Sequence, residues 1–257
     1  MLLAVDIGNS NIVFGINGSG VWVNNWRIQT DALKTADEYE VIFNSLLQNG
    51  EIDKTNISGI VVCSVVPTLV APFSEMLYGL FTKKPVWVSP EIYSYLPVKV
   101  LNPNQIGADL VANSVAAFTR FGNYSMVVDF GTALTFTTVG SNSEIAGVAI
   151  APGLMTAVDS LAGKTAQLPF VHLEAPPSVL GDNTVHAIQS GILFGYAGLV
   201  DHIIERTEQE LNHSLNVIAT GGLSDKISPL TKHINNIDKM LTLEGLKIIN
   251  TKINSLD

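Results

Sequence analysis

Two short stretches of the sequence place an aspartate and a glycine directly after an apolar run. Asp6 follows LLAV and opens DIGNSN, and Asp129 follows MVV and opens DFGTALT. A glycine lets the backbone approach a ligand closely, and the amides and hydroxyls of small polar residues can hold phosphate oxygens. A carboxylate at such a turn can also hold Mg²⁺, often through water. These residue types are therefore suited to phosphate binding.

Either turn alone has a simpler explanation, because Asp, Asn and Gly are common in tight hairpin turns. The pair is more specific, since Asp129 lies 123 positions after Asp6, about half of the chain. The surrounding residues align without a gap, which places Val5 over Val128 and Phe14 over Thr137. Internal repetition of this kind predicts two copies of one β-β-β-α unit. Two phosphate turns would clamp and neutralise phosphates in phosphoryl transfer, which requires little covalent help from the protein.

Two further positions could contribute to a site. Gly221 and Gly222 follow a strand predicted at 216–219 and precede an apparent helix, a junction open to a flat ligand, although glycine pairs are common in turns. Asp109 lies where a helix is predicted to begin near Gly107 and to continue to Phe121. A carboxylate there can accept a proton from a substrate or simply cap the helix. The residues alone favour the helix cap.

Hydrophobic periodicity supplies the elements that would position these residues. Strands are predicted at 2–5, 12–16, 21–28, 57–65 and 86–88, helices at 36–47 and 68–80, and a loop at 93–105. The pattern then restarts, with strands at 126–128, 135–139 and 144–150. We therefore predict an α/β protein of two domains, residues 1–117 and 118–257, that meet across a cleft.

Composition narrows the functional classes. The 257 residues are 47% hydrophobic and carry a formal net charge of −9, which argues against nucleic-acid and membrane-surface partners. The N-terminus lacks the basic segment of a signal peptide, and the longest apolar stretch, Ile145–Val158, is too short to span a bilayer. The single cysteine, Cys63, is expected to be a buried core thiol in a reducing compartment. These features predict a cytoplasmic protein.

The motifs together resemble a known family. DIGNSN, DFGTALT and ATGGL resemble the phosphate, phosphate and adenosine turns of the acetate and sugar kinase/Hsp70/actin superfamily, while NPNQIGADLVANSVAA and GDNTVHAIQSGILFGYAGLVD are similar to segments of type III pantothenate kinases. The resemblance implies two duplicated actin-like (ribonuclease H-like) domains with a nucleotide cleft. It implies that ATP phosphorylates pantothenate to 4′-phosphopantothenate, the first step of coenzyme A biosynthesis. It also implies Mg²⁺, a monovalent cation (K⁺ or NH₄⁺) and a homodimer.

The resemblance assigns roles to individual residues. Asp109 would be the general base, Asp129 would bind the monovalent cation, and Asp6 would hold Mg²⁺ through ATP. The residues implied for ATP binding are Asp6, Ile7, Gly8, Asn9, Ser10, Asn11, Ile12, Val13, Thr132, Gly221 and Gly222. Those implied for pantothenate binding are Val100, Gly107, Ala108, Asp109, Leu110 and Thr184.

Two of these positions depart from the family pattern. Leu110 replaces the usual Arg and Val100 replaces the usual Tyr, and leucine cannot supply the fork-like bonds that arginine makes to a carboxylate. Lys99, Lys164 or a group from a second protomer could compensate. The alternatives are an inactive family member with an accessory or regulatory role, and a kinase for another small hydroxyl compound.

Overall fold

The computed structural model describes residues 1–256, which form two compact units, residues 1–119 with 241–256 and residues 120–240. The first unit contains a five-stranded sheet in the order β3-β2-β1-β4-β5. The first three strands are antiparallel neighbours, and β1 pairs in parallel with β4. Its elements are β1 (Leu2–Ile7), β2 (Asn11–Gly18), β3 (Val21–Gln29), α1 (Ala36–Asn49), β4 (Gly59–Ser64), α2 (Val70–Phe81), β5 (Val86–Trp87) and α3 (Ala108–Phe121).

The first unit is held together by an aromatic and aliphatic core between the sheet and helices α1 and α2. The ring of Phe14 on β2 stacks on Phe43 of α1 with centroids 4.1 Å apart. Helix α1 begins after Thr35, whose hydroxyl accepts from the Glu38 amide while the Glu38 carboxylate accepts from the Thr35 amide, a complete capping box. The residues of this core alternate along β1 and β2, at positions 3, 5 and 7 and at 12, 14 and 16, and so mark the face of the sheet that the helices cover.

The second unit repeats the same sheet. Its order is β10-β9-β6-β7-β8, which matches the first sheet strand for strand when β6 takes the place of β1. Strands β6 and β9 are parallel, as are β1 and β4. Its elements are β6 (Ser125–Phe130), β7 (Ala133–Val139), β8 (Ile145–Pro152), α4 (Leu154–Lys164), α5 (Thr184–Leu211), β9 (Asn216–Thr220), α6 (Ser224–Ile227) and β10 (Asn236–Ile237).

The ungapped alignment of the two repeats is wrong by one residue beyond the turn. Val5 pairs with Phe14 in the first sheet, whereas Val128 pairs with Phe136 in the second. Phe14 therefore corresponds to Phe136 and not to Thr137, because the second turn is one residue shorter. The reason is packing: strand side chains alternate between the two faces, so only this register buries both phenylalanine rings in their own cores.

The division of the chain differs from the predicted domains 1–117 and 118–257. The first boundary lies between Thr119 and Arg120, but the last helix, α7 (Leu241–Asn254), belongs to the first unit. Thr242 of α7 donates to the side-chain oxygen of Asn113 on α3 at 2.9 Å, and the Trp22 indole N–H on β3 donates to Glu244 at 2.5 Å. Helix α7 therefore belongs to the first unit because its apolar face is buried against that unit.

Most predicted elements are present, with shifted ends. A 3₁₀ helix, Pro90–Tyr95, overlaps the start of the segment predicted as loop at 93–105. The helix expected after Gly222 is present as the single turn α6. Helix α5 was not predicted. Within residues 1–256 it is the one helix whose length and composition would allow it to cross a membrane, and half of its apolar window is buried inside the protein, as in the core helix of a globular domain.

Candidate functional site

The turn after β1 is held in place by the end of β3. The Gly8 amide donates to the Asn11 carbonyl at 3.0 Å and closes the turn. The Thr30 hydroxyl donates to the Gly8 carbonyl at 2.7 Å, and the Thr30 amide donates to the Ser10 carbonyl at 3.1 Å. Asn9, Ser10 and Asn11 are exposed, so a ligand can reach them from solvent. The turn is therefore held in one conformation and is open to solvent.

Asp6 and Asp109 lie close to the same buried thiol. The Cys63 thiol donates to the Asp6 carboxylate at 3.2 Å. Burial raises the pKa of this thiol well above its ordinary value, and the negative charges of Asp6 and Asp109 raise it further. The expectation that Cys63 is a buried core residue is confirmed. Its position beside the two carboxylates was not predicted, because no sequence spacing relates residue 63 to residues 6 and 109.

Asp109 is in the first turn of α3, one residue inside the helix. Its carboxylate accepts a 2.8 Å hydrogen bond from the Leu110 amide, so it is directed by the helix N-terminus without being the cap residue. Burial raises the pKa of Asp109, and bonds from the backbone amides of Leu110 and Asp109 oppose that rise. A half-buried carboxylate with a raised pKa is better suited to accept a proton than an exposed one.

Gly107 makes this position of Asp109 possible. A Cβ atom on Gly107 would lie 2.4 Å from the Asp109 Oδ1 atom and 3.4 Å from a methyl carbon of Val65. Only a residue without a side chain leaves the carboxylate where it is. Gly107, Ala108 and Leu110 were also predicted to bind substrate. They lie next to Asp109 because the four residues are consecutive at the start of α3.

Tyr93 is a further residue of this site that the sequence did not indicate. Its side chain is buried in the 3₁₀ helix before α3. Burial raises the pKa of Tyr93 to about 12, with smaller contributions from Cys63 and Asp109. The phenol therefore remains a neutral hydrogen-bond donor near the proposed base.

The second turn, after β6, is built differently. The Thr132 carbonyl accepts from the Gly153 amide at 3.1 Å and from the Thr156 hydroxyl at 2.8 Å. Gly153 immediately precedes α4, so the positive N-terminal end of that helix lies against the turn. Gly131 and Thr132 are exposed. These contacts supply the second turn with a favourable potential for an anion.

Asp129 lies next to the turn that contains Gly221. Gly221 has a φ of +88°, which favours glycine, and a Cβ atom there would lie 2.6 Å from Asp129 Oδ1 and 2.7 Å from the Phe130 carbonyl oxygen. The second unit therefore brings together Asp129, Thr132 and Gly221, which were predicted separately. Gly222 follows and is exposed.

The carboxylates of Asp129 and Asp6 offer oxygen atoms, which hard cations such as Mg²⁺ and K⁺ prefer. Within residues 1–256, no group of three or more His, Cys, Asp or Glu side chains could hold a metal ion. A cation at either turn would therefore require backbone carbonyl, water or nucleotide oxygens in addition to one carboxylate. That fits an ion bound with a phosphate ligand better than an ion in an all-protein cage.

Leu110 and Val100, the two positions that depart from the family pattern, and the lysines proposed to compensate for them differ in exposure. Leu110 is only 8% exposed and packs in the first unit, whereas Val100 is half-buried. Lys99 and Lys164 are both exposed.

Thr184 is the first residue of α5 and lines a cavity of about 610 Å³ together with Asp182, Asn183, Leu161 and Ile192. His186 bonds to Asp182 at 2.7 Å and lowers the pKa of that carboxyl.

Comparisons with known proteins show which sequences the chain is similar to. The sequence profile described as type III pantothenate kinase matches residues 2–206. A type III pantothenate kinase of Geobacter sp. (strain M21) is 42% identical over 98% of this chain and 99% of its own length. One from Citrifermentans bemidjiense is 43% identical, over 97% of this chain and 98% of its own.

A solved structure supports the fold. A Sinorhizobium meliloti protein assigned as a 2-dehydro-3-deoxygalactonokinase superposes with a TM-score of 0.58 at 12% identity, over 100% of this chain and 97% of that one. Together with the repeated sheet order, this likeness confirms the predicted fold class of two duplicated actin-like domains.

Proposed function

Because the chain belongs to the type III pantothenate kinase family, we propose that it transfers the γ-phosphoryl group of ATP to the primary hydroxyl of pantothenate. The products are 4′-phosphopantothenate and ADP, and the reaction is the first step of coenzyme A biosynthesis. The observation that best supports this is the proximity of Asp6, in a phosphate-type turn, and Asp109, a half-buried base, to the same thiol.

Asp109 is the proposed general base. The hydroxyl oxygen of pantothenate attacks the γ-phosphorus, the bond from that phosphorus to the β,γ-bridging oxygen breaks, and the hydroxyl proton passes to Asp109. The raised pKa makes the Asp109 carboxylate a stronger base than an exposed aspartate. The Leu110 amide, which donates to one carboxylate oxygen, fixes the direction in which the other can accept a proton.

The nucleotide contacts form the second part of the proposal. Residues from Asp6 to Val13, with Thr132, would bind the phosphates of ATP, and Gly221 and Gly222 would flank the adenine. Asp6 would hold Mg²⁺ through ATP, and Asp129 would hold a K⁺ or NH₄⁺ ion. Such cations, when bound, neutralise charge on the transferring phosphate.

Leu110 and Val100 bear on which hydroxyl compound receives the phosphoryl group. Leu110 is buried and contributes to packing, and its hydrocarbon side chain offers no charge to the pantothenate carboxylate. We propose that Lys99 or Lys164, or a group of a second protomer, supplies that charge, with Thr184 as a further contact. The second candidate, favoured by the same two residues, is a kinase for another small hydroxyl compound. An inactive member with an accessory role is the third.

The deciding experiment is an ADP-release assay with ATP, Mg²⁺, K⁺ and pantothenate, beside a panel of other small hydroxyl compounds. We expect ADP release to depend on pantothenate, and Lys99→Ala or Lys164→Ala to raise its KM by about 10- to 100-fold, the effect of losing a charged hydrogen bond. ADP release with another acceptor, but none with pantothenate, would identify the second candidate. Nucleotide binding without turnover on any acceptor would identify the third.

The proposed cation site predicts a dependence on salt. Replacing K⁺ with Na⁺ should lower the activity of the wild-type protein, because we expect K⁺, the larger of the two ions, to fit the proposed site of carboxylate and carbonyl oxygens better. Asp129→Ala should remove most activity and also the difference between the two salts. Equal wild-type rates in K⁺ and Na⁺ at matched ionic strength would contradict a cation site at Asp129.

The proposal also covers the oligomeric state, the cellular location and the partners of the enzyme. We propose a homodimer in the cytoplasm, without a nucleic-acid or membrane partner. The net charge of −9 supports the last point, because such a surface repels phosphate backbones and anionic lipid. The low charged fraction, 14%, supports self-association.

A further inference from the structure

Cys63 is the only cysteine in the chain, and it is fully buried at the end of β4. The parallel pairing of β1 with β4 sets Cys63 directly beside Asp6. The two side chains meet, with the Sγ atom 3.2 Å from the Asp6 Oδ1 atom. A packing role alone would not require a group with a polar hydrogen at this position, where valine fills a similar volume.

The direction of this hydrogen bond is fixed by charge. The Asp6 carboxylate has no hydrogen to donate, whereas the thiol carries one, and the 3.2 Å contact is a hydrogen bond from the thiol. The thiol therefore donates and the Asp6 carboxylate accepts. Burial makes Cys63 a poor nucleophile, because the thiolate is the reactive form.

The second unit has a comparable arrangement at the corresponding position. Thr220 at the end of β9 is paired in register with Asp129, as Cys63 is with Asp6. Thr220 is 2% exposed and also carries a polar hydrogen. In both copies of the repeat, therefore, the strand next to the aspartate ends in a buried residue that is able to donate.

We propose that Cys63 is a positioning residue, whose thiol donates a hydrogen bond to Asp6 and holds that carboxylate in the orientation in which it serves the bound nucleotide. This inference rests on the proposed function, in which Asp6 acts at the phosphates of ATP. Cys63 touches neither nucleotide nor acceptor in this role and acts only through Asp6.

Three substitutions separate the hydrogen bond from packing. Cys63→Val keeps a similar volume and removes the donor, Cys63→Ser keeps a donor, and Cys63→Ala removes both. We expect Cys63→Val and Cys63→Ala to raise the Kd for Mg·ADP, measured by calorimetry, by about 3- to 10-fold, a modest effect because a thiol is a weak hydrogen-bond donor. Cys63→Ser should remain close to the wild type. The KM for ATP should follow the Kd, whereas the KM for pantothenate should not change.

A matched control is available on the same strand. Val61 is fully buried two residues before Cys63, on the same face of β4. Val61→Ala should lower the melting temperature without changing the Kd for Mg·ADP. An equal rise in Kd for Val61→Ala and Cys63→Val would show that general loosening of the strand is responsible, and would overturn the proposal.

Infrared spectroscopy tests the bond without any assay of activity. Because the chain has one thiol, its S–H stretching band belongs to Cys63 alone. We expect the band at the lower frequency of a bonded thiol, and we expect Asp6→Asn to move it upward as the acceptor loses its charge. A band unchanged by Asp6→Asn, or a Cys63→Ser protein with the same weakened Mg·ADP binding as Cys63→Val, would overturn the proposal. If these results hold but pantothenate is not phosphorylated, the proposed function alone has failed.

Discussion

Asp109→Asn should lower kcat for pantothenate phosphorylation by about 10²–10⁴-fold, the usual cost of removing a general base. Asparagine has nearly the same shape and can still accept the 2.8 Å hydrogen bond from the Leu110 amide, so the start of α3 should be preserved. The Kd for ATP should be nearly unchanged. Steady-state kinetics with calorimetry would check both, and a variant that retained the wild-type kcat would exclude Asp109 as the base.

The same substitution should make the protein more stable at neutral pH. Burial raises the pKa of Asp109 above its ordinary value of 3.8, so the folded state binds this proton more tightly than the unfolded state. Stability therefore falls as pH rises from that value through the raised pKa, and above it the ionised carboxylate is a constant cost. The asparagine of the variant carries no such charge, so thermal unfolding should show a higher melting temperature at pH 7 and a smaller difference at low pH.

Gly107→Ala should lower kcat on the order of 10²-fold, which is the scale for displacing a catalytic group by about 1 Å. The new Cβ would lie 2.4 Å from Asp109 Oδ1, and the carboxylate is the part that can move. Because the nearest atom belongs to a flexible side chain, the fold should tolerate the change. Gly79→Ala in α2 is the matched control, since its Cβ would meet only a Glu40 oxygen, at 3.7 Å.

A double variant shows whether Gly107 acts through Asp109. Residues that act as one unit have non-additive effects. If the alanine only displaces the carboxylate, Gly107→Ala combined with Asp109→Asn should be no slower than Asp109→Asn alone. Fully multiplied losses would mean that Gly107 has a separate role, for example in direct contact with pantothenate.

The sequence alone was sufficient for the fold class, and it proposed most of the residues of the candidate site. The apolar runs before Asp6 and Asp129 are buried strands, and the repetition of strand, turn and strand predicted the duplicated sheet because strand periodicity is a local property of the chain. The turn residues were identifiable for the same reason, since glycine and small polar side chains determine turn geometry locally. The resemblance to a family then added roles to positions whose chemistry was already suited to them.

Other features depended on contacts between distant parts of the chain. The one-residue difference between the turns became visible only from the pairing of β6 with β7, because register is decided by which side chains are buried. The place of α7 was decided by its packing on the first unit, more than 100 positions away along the chain.

The surroundings of Asp109 were the least predictable part. Cys63, Tyr93 and Asp109 lie on a strand, a 3₁₀ helix and an α-helix, and only the folded chain brings these side chains near one another. The raised pKa values of Asp109 and Cys63 follow mainly from burial, which is a property of the tertiary structure. The sequence thus determined which groups are available for phosphoryl transfer, and the tertiary structure decided which of them are held together and desolvated.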